Sequence, residues 1–355
     1  MTAIYVSLTA LVIAYHGYRW YTSKPHPEPA ATSWTPDADA PRLSFLVPAW
    51  NAAKDIPGFV ASYEALSYPR KELVLCAGGI DGSFEVAKRH ASDGVKVLEQ
   101  LPGEGKQMAL QRSFPVSCGE LIYLTDIDCR PSDDVVNNLL AQLANKNLAV
   151  VTGSGRPLDN QLADVFVQTQ WAVEQVTHPK VIGETTGILG RNAALTRAAV
   201  EASGAFATPA PSGTDYTLAK EMLRAGLNIV YVPGSPMPTE YPGTFGIYTR
   251  KQARWIRNVF VLGRRYGSMS EVRATVVTLT LPYVILLLLA LGLAGVGFAA
   301  LVGLLLIFHA VLNRLWYLRL AHLTPKLTGS VRHFVADQAA AVRAGAQISR
   351  GVTQW

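Results

Sequence analysis

Between Arg273 and Arg314 about forty consecutive residues carry no formal charge. One bilayer crossing takes about 20 apolar residues, so this tract is long enough for two. Pro282 and the glycines from Gly292 to Gly297 mark the expected turn, which gives helices over residues 275–291 and 296–312. A shorter uncharged run, TAIYVSLTALVIAYHGY at residues 2–18, ends at Arg19. No basic residue precedes it and no clean small-residue cleavage site follows, so an anchoring helix fits better than a signal peptide. Tyr15, Tyr18, Trp20 and Tyr21 are its expected interfacial belt.

Composition supports a membrane-associated chain. Of the 355 residues only 16% are charged, against roughly 25% in a soluble domain. The cations gather on one side of the apolar runs. Arg19 and Lys24 follow the first run, Arg250 to Arg273 precede the second, and Arg314, Arg319, Lys326 and Arg332 follow the third. By the positive-inside rule the central region and the tail are then both cytosolic, as three crossings require. Orientation and phosphate binding account for the net charge of +6, so no nucleic-acid partner is needed. Cys76, Cys118 and Cys129 form neither a paired CxxC site nor a disulfide framework.

The expected organisation is an anchor at 1–22, a proline-rich linker at 23–41 and an α/β domain at 42–245. An amphipathic interfacial segment follows at 246–272, then two membrane helices at 273–318 and a cytosolic tail at 319–355. Within the α/β domain LSFLV (43–47), ELVLC (72–76), VKVL (95–98) and ELIYLT (120–125) read as short strands. Helical stretches separate them at 53–67, 83–91 and 106–113. This alternation predicts a mainly parallel sheet flanked by helices, with ligands bound at the carboxyl ends of its strands. VPAWN (47–51), AGGIDG (77–82) and TDIDC (125–129) lie at those ends.

Asp126 and Asp128 form a D-x-D pair directly after an apolar strand. Alternate residues of an extended segment share one face, so the two carboxylates converge. Mg2+ or Mn2+ is typically held by one or two carboxylates plus substrate phosphates. The spacing alone arises cheaply, since Asp37 and Asp39 repeat it in the linker; its place at a strand end gives it weight. Lys106 sits in PGEGKQ, where Gln100 and Gln107 break the Walker A pattern. Opening a helix, Lys106 faces either an anion or solvent. Asp215 begins a helix in SGTDYTLAKEML, where an acid that merely suits the helix dipole is the simplest local reading. His178 in THPK is by itself an ordinary structural histidine.

In their order along the chain these pieces resemble the family 2 inverting glycosyltransferases of GT-A fold, over residues 43–255. The sequence is VPAWN, the glycine-rich turn with Asp81, GEGKQMAL, the D-x-D pair, Thr214–Asp215, and an R-x-x-R-W-like element ending in Arg254 and Trp255. The resemblance implies a nucleotide-sugar donor, UDP-sugars favoured, a divalent cation, and Asp215 as general base. It places Pro48, Asp81, Lys106, Asp126, Arg254 and Trp255 at the donor, and Asp126 and Asp128 at the metal. Many members carry an acidic pair that reads the base where this chain has Cys76-Ala77-Gly78-Gly79. The R-x-x-R-W-like element also departs from the pattern, with Lys251-Gln252 where processive synthases usually have Gln first.

His178-Pro179-Lys180 and Asp215-Tyr216, with the three-span layout, are similar to ceramide glucosyltransferase and related lipid glycosyltransferases. That likeness implies a lipid acceptor, with His178 and Trp255 on the acceptor side. The stretch 247–266 would lie in the interface, its arginines toward headgroups and Trp255, Val259, Phe260 and Leu262 inward. The alternatives are a processive polysaccharide synthase of the cellulose or hyaluronan synthase type, and a catalytically silent membrane scaffold or nucleotide-sugar sensor. The tail carries a helix-like string, VADQAAAVRAGAQI (335–348), with no evident role.

Overall fold

A computed structural model describes residues 2–25, 34–146 and 148–352, so residues 26–33 of the expected linker lie outside the described residues. Two compact units emerge. One comprises 34–158 and 179–240; the other comprises 2–25, 159–178 and 241–352.

The first unit holds β1 (Leu43–Trp50), β2 (Lys71–Gly78), β3 (Val95–Glu99), β4 (Leu121–Leu124), β5 (Val150–Pro157), β6 (Gly183–Thr185), β7 (Ala193–Thr196) and β8 (Ile229–Thr239). Their order across the sheet is β3-β2-β1-β4-β7-β5-β8-β6. Strands β3, β2, β1 and β4 are mutually parallel, as the helical crossovers between them require. Strand β7 then enters antiparallel to both β4 and β5, and β6 pairs antiparallel with β8. Strand β8 is parallel to β5, so six of the eight strands share one direction and the sheet is mainly parallel, as the alternation of elements predicted, with β7 and β6 reversed.

Strand periodicity decides which helices cover which face. Phe45, Leu73, Leu75 and Tyr123 point into one core, against Phe59 and Val60 of α2 (Ile56–Glu64) and Leu139 and Leu140 of α5 (Asp133–Lys146). Leu46, Val74, Ile122 and Leu124 point the other way. They meet Leu110 of α4 (Gly105–Val116), Val200 of α7 (Arg197–Ser203) and Met222 of α8 (Thr214–Arg224). The short α3 (Ser83–Lys88) follows β2. Pro48 sits in a central strand, yet the β1–β4 ladder stops at Leu46, two residues before it.

The second unit is helical: α1 (Thr2–Thr22), α6 (Val165–Thr177), α9 (Phe245–Tyr266), α10 (Met269–Leu293), α11 (Gly297–Leu320) and α12 (Leu327–Ser349). Helices α10 and α11, of 25 and 24 residues, are long and apolar enough to cross a membrane. Pro282 does not mark a turn; it lies inside α10, and the reversal falls at Gly295, whose φ is +94°. The two helices cross closely where a Cβ on Gly292 would lie 2.3 Å from that of Ala300.

Helix α1 runs parallel to α11 in nearly constant register. Tyr5 stacks on Phe298, His16 bonds His309 at 3.0 Å, and Arg19 donates to Asn313 at 2.6 Å.

The tail is a packing element. Ala340, Ala341 and Ala344 of α12 receive Ala253 and Ile256 of α9. Leu262 of α9 is buried within the protein and Arg257 is only 4% exposed, so neither faces lipid or headgroups as the amphipathic pattern predicted; Trp255 is exposed. A polar cluster locks three helices together. Asp337 of α12 accepts from Tyr248 of α9 and Arg314 of α11, and His333 of α12 contacts both donors at 3.0 Å.

Burial works against the Asp337 charge. His333, Arg314 and Tyr248 outweigh it and hold the carboxyl at about 2, below its ordinary 3.8. A depressed acid contributes stability above its unfolded pKa and loses it as pH falls through the folded one. Asp337→Asn should therefore cost about 2 kcal/mol at neutral pH. Its difference from wild type should close between about pH 4 and 2. Denaturant titration in detergent at stepped pH checks this; equal stability at pH 7 would refute it.

Candidate active site

The carboxyl ends of β1, β2 and β4 carry the polar loops. Strand β4 ends at Leu124 and the chain turns at Ile127 and Asp128, closed by Cys129 N–H donating to the Asp126 carbonyl at 3.1 Å. Asp126 and Asp128 are thus presented by a turn, not by alternation along a strand. The Thr239 hydroxyl at the end of β8 lies 3.4 Å from Asp128 Oδ1. The buried Cys129 thiol beneath them is pushed up to about 12, first by burial and then by the charges of Asp128 and Asp126.

Lys106, the second residue of α4, reaches across. Its Nζ lies 2.8 Å from Asp126 Oδ1 and 3.0 Å from Asp215 Oδ1. Burial opposes its charge, but Asp126 and Asp215 outweigh it and hold its pKa above the ordinary lysine value. Asp215 is an acid in the first turn of α8, as the helix dipole favours, and also a member of this cluster. Gly190 supplies the floor: a Cβ there would lie 2.1 Å from Asp215 Oδ1. Asp126 is 37% and Asp215 24% exposed, so both carboxylates are open to a ligand.

Asp81 takes a different part. Its Oδ1 accepts from the Ser83 N–H and hydroxyl, and its Oδ2 accepts from Ala53 N–H at 2.9 Å. Slight burial opposes its charge, and these bonds outweigh it and lower its pKa. The carboxylate therefore braces the loop after β2 against the loop after β1. Gly78 and Gly79 are forced by that junction. A Cβ at Gly78 would meet the Gln100 carbonyl at 2.1 Å, and one at Gly79 the Asn51 side chain at 2.2 Å. Gly79 also has φ +124°. A side chain at either position does not fit without moving these neighbours. Trp50, at the end of β1, is 40% exposed beside them.

Pro48 is half-buried in the same sheet unit. His178 caps α6, its Nδ1 2.6 Å from the Glu174 carbonyl, and Arg254 and Trp255 lie on α9; all three belong to the helical unit. Gly190 and Thr239 were not singled out from sequence. A glycine 25 positions before an aspartate carries no local signal of touching it.

No cluster of three or more His, Cys, Asp or Glu side chains suited to a metal occurs among the described residues. Two aspartates with only oxygen donors suit a hard cation completed by substrate phosphates, and do not suit a four-ligand zinc site.

The family described as glycosyltransferase-like family 2 matches residues 41–258. The chain belongs to glycosyltransferase family 2. Among its curated relatives is an N-acetylglucosaminyltransferase of Mesorhizobium japonicum, 24% identical over 238 residues, covering 62% of this chain and 56% of the relative. Another of that name, from Azorhizobium caulinodans, is 27% identical and covers 62% and 60%. A probable glycosyltransferase of Bacillus subtilis, YdaM, is 26% identical and covers 72% and 64%. The family 2 glycosyltransferase thus spans less than two thirds of the length of these relatives. Among solved structures, the mannosyltransferase PcManGT from Pyrobaculum calidifontis, in complex with GDP-Man and Mn2+, aligns over 99% of both chains. Its TM-score is 0.63 at 20% identity. That likeness is one of fold, GT-A-like with a mixed sheet and flanking helices.

Proposed function

We propose that this family 2 glycosyltransferase transfers one sugar from a nucleotide-sugar donor, UDP-sugars favoured, to a lipid hydroxyl at the cytosolic membrane face, with inversion. The reading rests on one observation above all. Two acids 89 positions apart, Asp126 and Asp215, meet on a single ammonium.

In the reaction the acceptor oxygen bonds to the anomeric carbon as the bond to the diphosphate breaks. The electron pair leaves with the diphosphate and the hydroxyl proton goes to the Asp215 carboxylate. Direct attack inverts the centre, so an α-linked donor gives a β-glycoside. Asp126 and Asp128 would hold Mg2+ or Mn2+, which when bound neutralises negative charge on the diphosphate. Lys106 brings a fixed positive charge beside both acids, and Arg254 is a further cation assigned to the leaving group. Pro48 and Asp81 shape the donor loops. Trp255 and His178 are the acceptor-side candidates.

A lipid acceptor is supported by the helical unit. Among the described residues α10 and α11 are the two helices both long and apolar enough to span. Helix α1 is less apolar, but at 21 residues and about 31 Å it has the length, and it runs parallel to α11, as a first and a third crossing must. On α9 the exposed Ile247, Trp255 and Val261 are interleaved with exposed Arg250, Lys251, Arg264 and Arg265, a mix of apolar and basic side chains that suits the interface.

The test is incubation of detergent-purified protein with Mn2+, a lipid extract and a panel of donors including UDP-glucose, UDP-N-acetylglucosamine and GDP-mannose, followed by mass spectrometry. One added hexose or N-acetylhexosamine on an organic-soluble lipid is expected. A long water-soluble chain would favour a polysaccharide synthase, and no donor consumption would refute the enzyme reading. Asp126→Asn and Asp128→Asn should each weaken Mn2+-dependent donor binding by roughly tenfold or more, as loss of one hydrogen-bonded charge does. Donor titration across a Mn2+ series measures it, and unchanged affinity would remove the aspartates from the metal.

A further inference from the structure

The matched ends of α1 and α11 carry two arginines and two tryptophans in a crossed arrangement. Arg19 Cζ lies 3.7 Å over the Trp316 ring, and Arg319 Cζ lies 5.0 Å over the Trp20 ring. An indole face offsets part of the cost of desolvating a guanidinium but supplies no counter-charge. Among the described residues neither arginine has a carboxylate within ion-pair distance, and Arg19 bonds only the neutral amide of Asn313. Arg319 Nη1 and Trp316 Nε1 are buried and have no acceptor among the described residues. Arginine at the end of an apolar helix normally extends its head into water. Here one guanidinium nitrogen is enclosed, and the second orphaned donor lies one turn away on the same helix face.

We propose that the crossed Arg19–Trp316 and Trp20–Arg319 pairs form a binding site for a phosphate group, supplied by a phospholipid headgroup at the cytosolic ends of α1 and α11. The guanidinium fork matches phosphate oxygens in pairs, and an indole N–H donates to a third. Phosphate is the anion that a bilayer presents at the depth where two spanning helices end. The site rests on the reading of α1 and α11 as membrane crossings. It is separate from the sugar-transfer centre and needs no donor.

Native mass spectrometry of the full chain, delipidated in non-ionic detergent, tests it by titration with dioleoyl phosphatidylglycerol in one arm and sodium phosphate in the other. Wild type should retain phosphatidylglycerol. Arg319→Gln should weaken that binding roughly tenfold or more, the fold-change of a lost charge-assisted hydrogen bond. Trp316→Phe keeps a ring but loses the N–H, and should weaken binding by less. Exposed Arg343 on α12 is the control, and Arg343→Gln should bind as wild type does. Equal losses at Arg319 and Arg343 would overturn the site, as would lipid binding indifferent to both Arg319→Gln and Trp316→Phe. Sodium phosphate bound through Arg319 while lipid binding ignores it would overturn the headgroup as source. If Arg319→Gln does not fold, Trp316→Phe carries the same comparison. The measurement reads no glycosyl transfer, so its failure and that of the catalytic reading are distinguishable.

Discussion

Asp215→Asn should lower kcat by roughly 10²–10⁴-fold, the contribution of a positioned base, while the Kd for the donor stays at its wild-type value. The substitution is nearly isosteric. The amide oxygen can still accept from Lys106, so the 3.0 Å contact and the first turn of α8 need not rearrange. What disappears is the group that takes the acceptor proton, and that loss is felt in the transition state alone. The signature is therefore an equal fall in kcat and kcat/KM with donor affinity preserved. Single-turnover transfer and calorimetric donor titration separate the two quantities. Turnover close to wild type would remove Asp215 from the chemistry. Weaker donor binding with unchanged chemistry would instead make it a donor ligand.

Much of the sheet was legible because its strands are short apolar runs with turn residues at their ends. The strand reading at 43–47, 72–76 and 95–98 falls within β1, β2 and β3, and Lys106 was correctly put at the start of a helix. Strand β7 escaped because Ala193–Thr196 is four residues long and shows no alternation; its direction is fixed only by the two strands that flank it. The same holds for α12. Its alanine-rich string reads as a helix, but its role lies in Tyr248 and Arg314, which are respectively 89 and 23 positions from Asp337. Periodicity reports which face of an element is apolar and stays silent on which partner covers it. At the site, the residue types were legible and their arrangement was not. The D-x-D pair looked like two teeth of one strand and is a turn. Asp81, expected at the donor, also braces two loops, a role that its place in a glycine-rich turn did not announce.

Gly190→Ala should cost at least about 10²-fold in kcat while the protein keeps its fold, because the new methyl competes with the Asp215 carboxylate for one space. Its Cβ would lie 2.1 Å from Oδ1, 2.5 Å from Cγ and 2.9 Å from Oδ2 of Asp215. Real Cβ contacts are essentially never so short, so something must give. Gly190 has no positive φ, so alanine imposes no backbone strain of its own. The carboxylate is 24% exposed and held by Lys106, so the less costly response is for Asp215 to swing out and drag or break that ion pair. A displacement of about 1 Å at a reacting group is enough for a loss of that size. Melting temperature measures the fold, and single-turnover transfer measures the chemistry. Near-normal turnover would mean that Asp215 functions from another position, and the cradle would then have no part in aiming the base. A protein too unstable to assay would locate the cost in packing, a result that Asp215→Ala in the Gly190→Ala background resolves. Removing the carboxylate vacates the contested space, so stability should return while turnover does not.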